Sequence, residues 1–386
     1  MDSAHPAAPP ATARQPGLDV LRALAIVAVL TMHIGDHEAS GRGLALPVLP
    51  RTIGYFGVEL FFILSGFLIG RILIGIAAAN PGPRDWAVFL VRRWMRTLPL
   101  YLLWVVVLLV VMPPANPIAT AARYITFTQS FAGPMATEWF SASWSLAVEE
   151  WFYLLFTVAL LALVALRVRG AVLWACIAFA ILPLAARVFI LPAGTPFDTG
   201  MRQVTLFRLD AIAIGVAMAW AVVHLPALTM RWQRPLFFVG CALLFAPSDI
   251  LALAHNDAVF AAAQPYLLTL TSLGFALWIP AALSLGAQNS WFGKTVRWLS
   301  DRSYCLYIVH LSVITWSWDA VAWLHLPVPL SSPLALLTSA GLAELSFRYF
   351  ETPILRHRPR QPVPAAPEAR RAVAAAPATD QPAKVS

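Results

Sequence analysis

Long apolar runs recur along the chain, and they constrain its fold more than any other feature. Stretches such as Leu98–Met112 and Trp151–Leu166 contain no charged side chain. Of 386 residues, 59% are hydrophobic and 12% are charged, and that charged share is about half of what soluble domains carry. Lipid offers the backbone no hydrogen-bond partner, so such runs cross a membrane as helices. A large soluble helical enzyme would need charged outer faces, and the sequence therefore predicts an all-α, polytopic transmembrane bundle.

We predict about ten transmembrane helices, separated by helix breakers such as Pro113-Pro114, and no internal repeat is evident. Residues 17–355 form the predicted transmembrane domain, with a disordered tail at 1–16 and an Ala/Pro-rich disordered tail at 356–386. The predicted spans are Leu18–Ile34, Thr52–Ala77, Leu98–Met112, Trp144–Leu166, Val172–Leu191, Val204–Val223, Pro235–Leu251, Ala261–Leu285, Ser303–Leu324 and Leu334–Phe350.

Lys and Arg orient the predicted bundle, because cytoplasmic loops carry an excess of both residues. With the N-terminus inside, most loop cations fall on the inner side, and the exceptions are Arg42, Arg51, Arg123 and Arg202. Both termini are therefore predicted to be cytoplasmic, in a multi-pass protein of the inner membrane. Anionic lipid of the inner leaflet explains the net charge of +8 without a nucleic-acid partner.

The three cysteines, Cys176, Cys241 and Cys305, lie far apart in apolar runs. They show neither a metal-ligand spacing nor a disulfide pattern. We expect them to be small core residues, and no metal site is predicted.

Ionisable side chains inside the spans are candidates for function, because a charge in lipid is costly unless it is paired or hydrated. Arg22 and His33 lie 11 residues apart in the first span, which is about three helical turns and places them on one face roughly 16 Å apart. A cation near the inner end and an imidazole near the outer end suit a ligand that enters from inside. The alternative is that Arg22 extends to the lipid surface and His33 lies in the headgroup layer.

Carboxylates of two further spans are predicted to lie near the depth of His33. Glu59 lies in span 2, and Glu149 and Glu150 lie in the outer half of span 4. Adjacent residues of a helix point about 100° apart, so at most one of Glu149 and Glu150 faces the histidine. A neutral imidazole beside a carboxylate is a general-base arrangement. A structural role, with each carboxylate bonded to backbone or indole N–H groups, remains the alternative.

A basic cluster, Arg92-Arg93-Trp94-Met95-Arg96, precedes the predicted third span. Guanidinium groups this close together can hold phosphate through paired hydrogen bonds. The same residues also fit ordinary cytoplasmic loop charges.

Other polar groups are predicted to be buried in a structural role. Arg208 and Asp210 near the start of span 6 are expected to form an ion pair, and His310 to be a core histidine with satisfied hydrogen bonds. Glu351, after the last span, is expected to cap a helix or pair with a cation of the inner face.

The order of these motifs resembles the acyltransferase type 3 family of integral membrane acyltransferases, which includes bacterial polysaccharide O-acetyltransferases and macrolide acyltransferases. The resemblance covers about residues 17–353. It depends on motifs at Leu18–Ala23 with His33, Gly57–Gly66, Arg92–Pro99, Trp144–Tyr153, Ser303–His310 and Glu351–Pro353.

The resemblance implies an acyl donor on CoA, with acetyl-CoA expected, bound from the cytoplasm as a co-substrate and not as a tightly held cofactor. It implies catalysis by His33 with the acidic positions Glu59 and Glu149, and donor binding by Arg22 and the basic cluster, of which Arg93 and Arg96 match the family. Supporting positions in the matching motifs and spans are Trp144, Glu150, Arg208, Asp210, Ser303, Tyr304 and His310.

The expected reaction is direct transfer to a hydroxyl of a carbohydrate, glycolipid or macrolide, with His33 as general base. An acyl-imidazole intermediate is a less favoured alternative. Some members carry a further esterase-type domain. This sequence shows none, so transfer is expected to finish within the bundle or on a separate extracytoplasmic transferase. Two other classes remain open, namely a proton-coupled transporter and a non-catalytic membrane partner or flippase.

Overall fold

The computed structural model describes residues 14–45, 47–79, 81–192, 194–252, 257–286 and 290–360. Regular structure in these ranges is entirely helical. Short π-helical turns at Phe197–Arg202 and Phe347–Glu351 and 3-10 turns at Thr205–Phe207 and Val328–Leu330 link some of the helices. The α-helices are α1 Pro16–Gly41, α2 Val48–Ala78, α3 Pro83–Val111, α4 Pro117–Ile125, α5 Ser143–Ala165, α6 Ala171–Phe189, α7 Leu209–His224, α8 Pro226–Arg231, α9 Gln233–Ala252, α10 Asp257–Ala276, α11 Ile279–Leu283, α12 Trp291–Trp323, α13 Ser331–Ser346 and α14 Thr352–Arg356.

Within the described ranges, nine helical segments are long and apolar enough to cross a membrane. A tenth apolar segment, Gln233–Phe245, is shorter and overlaps the predicted span Pro235–Leu251. The predicted all-α transmembrane bundle is thus confirmed, and the chain is a multi-pass membrane protein.

Two helices begin much earlier than their predicted spans. The third span was expected from Leu98 and the ninth from Ser303, whereas α3 begins at Pro83 and α12 at Trp291. Hydropathy ends a span at its first cations, but a cation that faces a polar cavity inside the bundle does not end a helix. The turns of α3 that precede Leu98 carry the basic cluster on such a face.

Helices α2 and α7 cross with almost no space between their backbones. A Cβ atom on Gly66 would lie 2.1 Å from the carbonyl oxygen of Ile212, and one on Gly215 would lie 2.5 Å from that of Ile63. Small residues permit this close approach in membrane bundles. Helix α2 also packs against α1, α5, α9 and α10, so the crossing lies near the centre of the fold.

Two buried ion pairs replace the single pair predicted between Arg208 and Asp210. Arg208 pairs with Glu59 at 2.5 Å, and Asp210 pairs with Arg187 at 2.7 Å, all with side chains that are 0% exposed. Residues two apart at the start of α7 point to nearly opposite sides of the helix, so each meets a different neighbour. The predicted Arg208–Asp210 pair is therefore wrong, although both residues are buried and charged as expected.

Both ends of the described chain lie at one face of the bundle. Arg14 pairs with Asp301 of α12 at 3.0 Å, and Arg92 of α3 donates a hydrogen bond to the carbonyl of Pro359. This fits an even number of crossings. Most of the predicted tails, residues 1–13 and 361–386, lies outside the described residues.

Candidate active site

A cavity of about 730 Å³ opens among α1, α2, α3, α5, α12 and α14. Its polar and charged lining includes every member of the predicted donor-binding set. These lining residues are Arg22, Ser65, Arg71, Arg92, Arg93, Arg96, Thr97, Ser145, Glu149, Tyr153, Ser300, Asp301, Ser303, Tyr304, Tyr307, Glu351 and Arg358.

Six arginines of the lining belong to segments that meet at the face holding both chain ends, and we call them the basic mouth. They outnumber the three carboxylates of the same lining, Glu149, Asp301 and Glu351. The basic mouth consists of Arg22, Arg71, Arg92, Arg93, Arg96 and Arg358.

Several of these guanidinium groups lack a full set of partners. The Nε atoms of Arg93 and Arg358 are buried without a hydrogen-bond acceptor in the structure. Burial, followed by repulsion from Arg96, Arg93 and Arg92, lowers the pKa of Arg358 to about 10. An anion with several charged oxygens would supply the missing acceptors and relieve the repulsion.

Arg22 is oriented by a polar group at the start of α12. Its guanidinium donates to Ser300 Oγ at 2.8 Å and to Asp19 at 3.4 Å, and Ser300 Oγ donates to the same Asp19 oxygen at 2.6 Å. Arg22 is thus held in the cavity wall, in the second turn of α1.

Carboxylates and hydroxyls of α3, α5 and α12 form the side wall. Glu149 accepts a hydrogen bond from Tyr153 at 3.1 Å. Glu150 accepts one from Thr97 Oγ1 at 2.6 Å, and the Thr97 carbonyl accepts one from Tyr304 at 2.6 Å. These contacts make Glu150 and Tyr304 links between helices, with Tyr304 also exposed to the cavity.

Two hydroxyl groups close the end of the cavity that lies away from the basic mouth, and we call this end the inner end of the cavity. Ser145 Oγ and the Tyr307 hydroxyl lie 2.6 Å apart, and both line the cavity. Ala142, which directly precedes α5, also contacts this end, because its carbonyl oxygen accepts a hydrogen bond from the Tyr307 hydroxyl at 3.3 Å. Backbone at this depth is tolerated because its polar groups are bonded within the protein.

Two histidines lie directly behind the inner end. The ring of His310 is 5.6 Å from that of Tyr307, and the ring of His33 is 5.0 Å from that of His310. His310 Nδ1 lies 2.7 Å from the Tyr307 carbonyl oxygen, whereas its Nε2 is buried without a partner. The expectation that His310 is a fully satisfied core histidine is therefore wrong.

A cation from the opposite face lies near the histidines. Arg202 is within electrostatic range of His33, and its guanidinium stacks 4.7 Å from the centre of the Trp144 ring. It also pairs with Asp198 at 2.5 Å. Trp144, a predicted supporting residue, thus positions this cation.

The two carboxylates predicted to orient His33 make their contacts elsewhere. Glu59 is occupied by Arg208 and by Ser272 at 3.4 Å. Glu149 bonds to Tyr153 in the cavity wall. Neither forms a hydrogen bond with His33 in the described part of the chain, so the structure brings His33 together with His310 instead.

Sequence reasoning missed several residues of this site. Arg71 lies inside the predicted span Thr52–Ala77 but is not among the predicted donor-binding residues, although a cation within a span indicates a polar interior. Tyr307 and Ser145 carry no charge and give no such signal. Arg358 was assigned to a disordered tail.

The acyltransferase domain family, type 3, matches residues 15–343 of the chain. A protein of Bacillus subtilis provisionally named a peptidoglycan O-acetyltransferase is 29% identical over 370 residues. A peptidoglycan O-acetyltransferase of Listeria monocytogenes is 26% identical over 374 residues, and an O-acetyltransferase of Staphylococcus aureus is 26% identical over 368 residues.

These alignments cover 88%, 89% and 88% of this chain, but 54%, 56% and 57% of the respective relatives. The chain thus spans about half the length of the curated relatives it matches. No solved structure matches it. The family match extends over most of the sequence and includes α1, which carries both Arg22 and His33, and by that match the chain belongs to the acyltransferase type 3 family.

Proposed function

We propose that the chain is an O-acyltransferase of the cytoplasmic membrane that moves an acyl group, expected to be acetyl, from acyl-CoA to a hydroxyl of a cell-envelope carbohydrate. One observation carries the proposal. A single cavity has six arginines at one end, and behind its other end lie the buried His310 and the half-buried His33.

The basic mouth suits the nucleotide of CoA. Its phosphates would accept hydrogen bonds from Arg92, Arg93 and Arg96, which lie within two neighbouring turns of α3 and line the cavity together with Arg358. Guanidinium groups bind phosphate in a forked geometry that a lone ammonium cannot match. CoA is a polyanion that does not cross lipid unaided, so the proposal requires the basic mouth to face the cytoplasm.

The narrower pantetheine arm would extend along the cavity towards Tyr307 and bring the thioester near the histidines. His33 takes the proton of the acceptor hydroxyl as its oxygen attacks the thioester carbonyl. When the tetrahedral intermediate collapses, the carbon–sulfur bond breaks, and the CoA sulfur receives the proton from the imidazolium. The products are an ester and free CoA, and His33 returns to its neutral form.

The acceptor proposal rests on the relatives. Two of them are named for peptidoglycan, which is a carbohydrate polymer outside the membrane. A sugar hydroxyl reaching His33 from the face opposite the basic mouth would be acylated without CoA leaving the cytoplasm. Mass spectrometry of surface glycans and secreted metabolites, with and without the gene, would identify the ester and separate glycan, glycolipid and macrolide acceptors.

Sided proteoliposomes test the proposal. Acyl-CoA supplied on the side of the basic mouth is expected to produce ester with a soluble sugar acceptor, and acyl-CoA supplied only on the other side is not. Equal turnover from both sides contradicts the sided mechanism. Product confined to the donor side would retain the chemistry and reject transfer across the bilayer.

The same vesicles separate the other two classes of function. A proton-coupled transporter would move a solute without hydrolysing or transferring the thioester, and a non-catalytic partner would do neither. Release of free CoA that depends on the acceptor is the result expected here.

A further inference from the structure

The buried, unpartnered nitrogen of His310 has no place in the reaction described so far. His310 is 1% exposed, and its Nε2 has no hydrogen-bond partner in the structure. A buried polar atom left without a partner is costly, so it calls for an explanation such as a catalytic role or a missing ligand.

The tautomer of His310 follows from its other nitrogen. Nδ1 lies 2.7 Å from the backbone carbonyl oxygen of Tyr307. A carbonyl oxygen only accepts hydrogen bonds, so Nδ1 carries the hydrogen and donates it. In the neutral ring this leaves Nε2 without a hydrogen, as an acceptor.

His33 is the neighbour that can donate a hydrogen bond to His310 Nε2. The two ring centres are 5.0 Å apart and the planes are inclined by 48°. The radii of the two rings are subtracted from this distance to obtain the separation of their facing atoms. A nitrogen of His33 that points at Nε2 of His310 is then within hydrogen-bonding range. Catalytic hydrogen bonds are often longer in the empty enzyme and tighten when substrate is bound.

The carboxylates predicted to lie beside His33 are engaged elsewhere. Glu59 is paired with Arg208 at 2.5 Å, and Glu149 is bonded to Tyr153 at 3.1 Å. Arg202, which is within electrostatic range of His33, carries no hydrogen-bond acceptor on its guanidinium group. Within the described residues, the unpaired Nε2 of His310 is therefore the acceptor best placed to receive a hydrogen bond from His33.

We propose that His310 is a positioning residue for His33: its Nε2 accepts the N–H of the His33 ring and so fixes which nitrogen of His33 is free to take a proton. This rests on the proposed function, in which His33 is the base. When His33 takes the acceptor proton, the same hydrogen bond gains charge assistance and stabilises the imidazolium. The backbone carbonyl of Tyr307, whose hydroxyl lies at the inner end of the cavity, holds His310 in the required tautomer.

Three substitutions of His310 separate the roles it could have. Gln can extend a carbonyl oxygen to the place of Nε2, whereas Asn reaches only the place of Nδ1, and Ala reaches neither. We expect His310→Ala and His310→Asn to lower kcat about 100-fold with little change in the KM for acyl-CoA. His310→Gln is expected to be about tenfold more active than these two variants, because it restores one hydrogen bond. His224→Ala, a change at an exposed histidine of α7, is the matched control.

The pattern distinguishes the alternatives. If His310 were itself the base, His310→Gln would be as inactive as His310→Ala, because an amide takes no proton. If His310 only supported packing, thermal stability would fall in all three variants and Gln would recover no more activity than Asn. Either result overturns the proposal.

A second readout does not need acyl transfer. Diethylpyrocarbonate acylates the unprotonated ring nitrogen of histidine, and peptide mass spectrometry can follow its rate at His33. We expect that rate to fall several-fold in His310→Ala and His310→Asn, and to stay near the wild-type rate in His310→Gln and His224→Ala. Equal rates in all variants would overturn the positioning role. If the wild-type protein does not turn over acyl-CoA, the proposed function is rejected. The labelling rate at His33 then still decides whether His310 positions His33.

Discussion

Guanidinium groups dominate the charge of the cavity, and the proposed donor site depends on their individual hydrogen bonds. Arg93 and Arg96 both line the cavity from α3, and Arg93 Nε is buried without an acceptor. A residue whose donors are unfilled in the empty protein gains the most when an anion binds.

Arg93→Ala and Arg96→Ala are therefore expected to raise the KM for acyl-CoA. Loss of one charge-assisted hydrogen bond costs about 1.5–3 kcal/mol, or roughly ten- to hundred-fold in affinity. Steady-state kinetics with acyl-CoA as the varied substrate measure the effect. Arg84→Ala, at an exposed position of the same helix that does not line the cavity, is the control. If the KM for acyl-CoA is unchanged in both variants, the basic cluster acts only as ordinary cytoplasmic loop charge.

His33→Ala should reduce acyl transfer by at least about 100-fold, because it removes the proposed general base. The side chain is only partly buried and makes a ring contact with His310, so expression and membrane insertion should stay close to wild type. Turnover and monodispersity are measured on the same purified sample. Activity near the wild-type value would assign the base to another group.

At the scale of the helices, the buried pair of Glu59 and Arg208 joins α2 to α7 beside their glycine crossing. The sequence allows either a catalytic or a structural role for Glu59, and this ion pair gives it a structural contact. Arg208 depends on this carboxylate, because its side chain is 0% exposed and two of its nitrogens, Nε and Nη1, already lack partners.

Glu59→Ala is expected to reduce the yield of folded protein, because breaking a buried pair costs about 3–5 kcal/mol. The double variant Glu59→Leu/Arg208→Met removes both charges and should recover folded yield and melting temperature. Size-exclusion profiles and thermal unfolding in detergent test this. A Glu59→Ala protein that is well folded yet inactive would instead favour the catalytic role predicted from the sequence.

The sequence predicted the helices well and the side-chain partners poorly. Hydropathy located α2, α5, α6 and α7 to within about five residues, because lipid imposes a strong length rule on apolar runs. It also found the start of α1, although this helix continues to Gly41, beyond the predicted end at Ile34. It placed the starts of α3 and α12 too late, because cations facing an internal cavity look like loop cations. Partners such as Glu59 with Arg208 depend on helix rotation and packing, which hydropathy does not encode.

At the scale of the whole molecule, the fold separates two surfaces. The chain ends and the basic mouth share one face, and α4 follows α3 at the other. Helix α3 has 29 residues and is about 40 Å long at the standard rise, which is sufficient to cross a bilayer.

Cysteine labelling tests the predicted orientation of this axis. In a background with Cys176, Cys241 and Cys305 replaced by Ala, we expect Arg123→Cys to react with an impermeant maleimide in intact spheroplasts. Arg84→Cys should react only after permeabilisation. Both positions are exposed in the fold, so reactivity reports sidedness and not burial. The reverse pattern would place the basic mouth outside and reject a cytoplasmic donor.

The basic mouth has a consequence for the membrane around it. Six arginines against three carboxylates attract any phosphate, and charge alone does not distinguish the phosphate of a nucleotide from the headgroup of an anionic lipid. Lipid of the surrounding leaflet is then a standing competitor of the donor. Apparent affinity for acyl-CoA should be weaker in phosphatidylglycerol vesicles than in phosphatidylcholine vesicles. Under the proposed function, the lipid composition of the cell would thus help to set how heavily its surface is acylated.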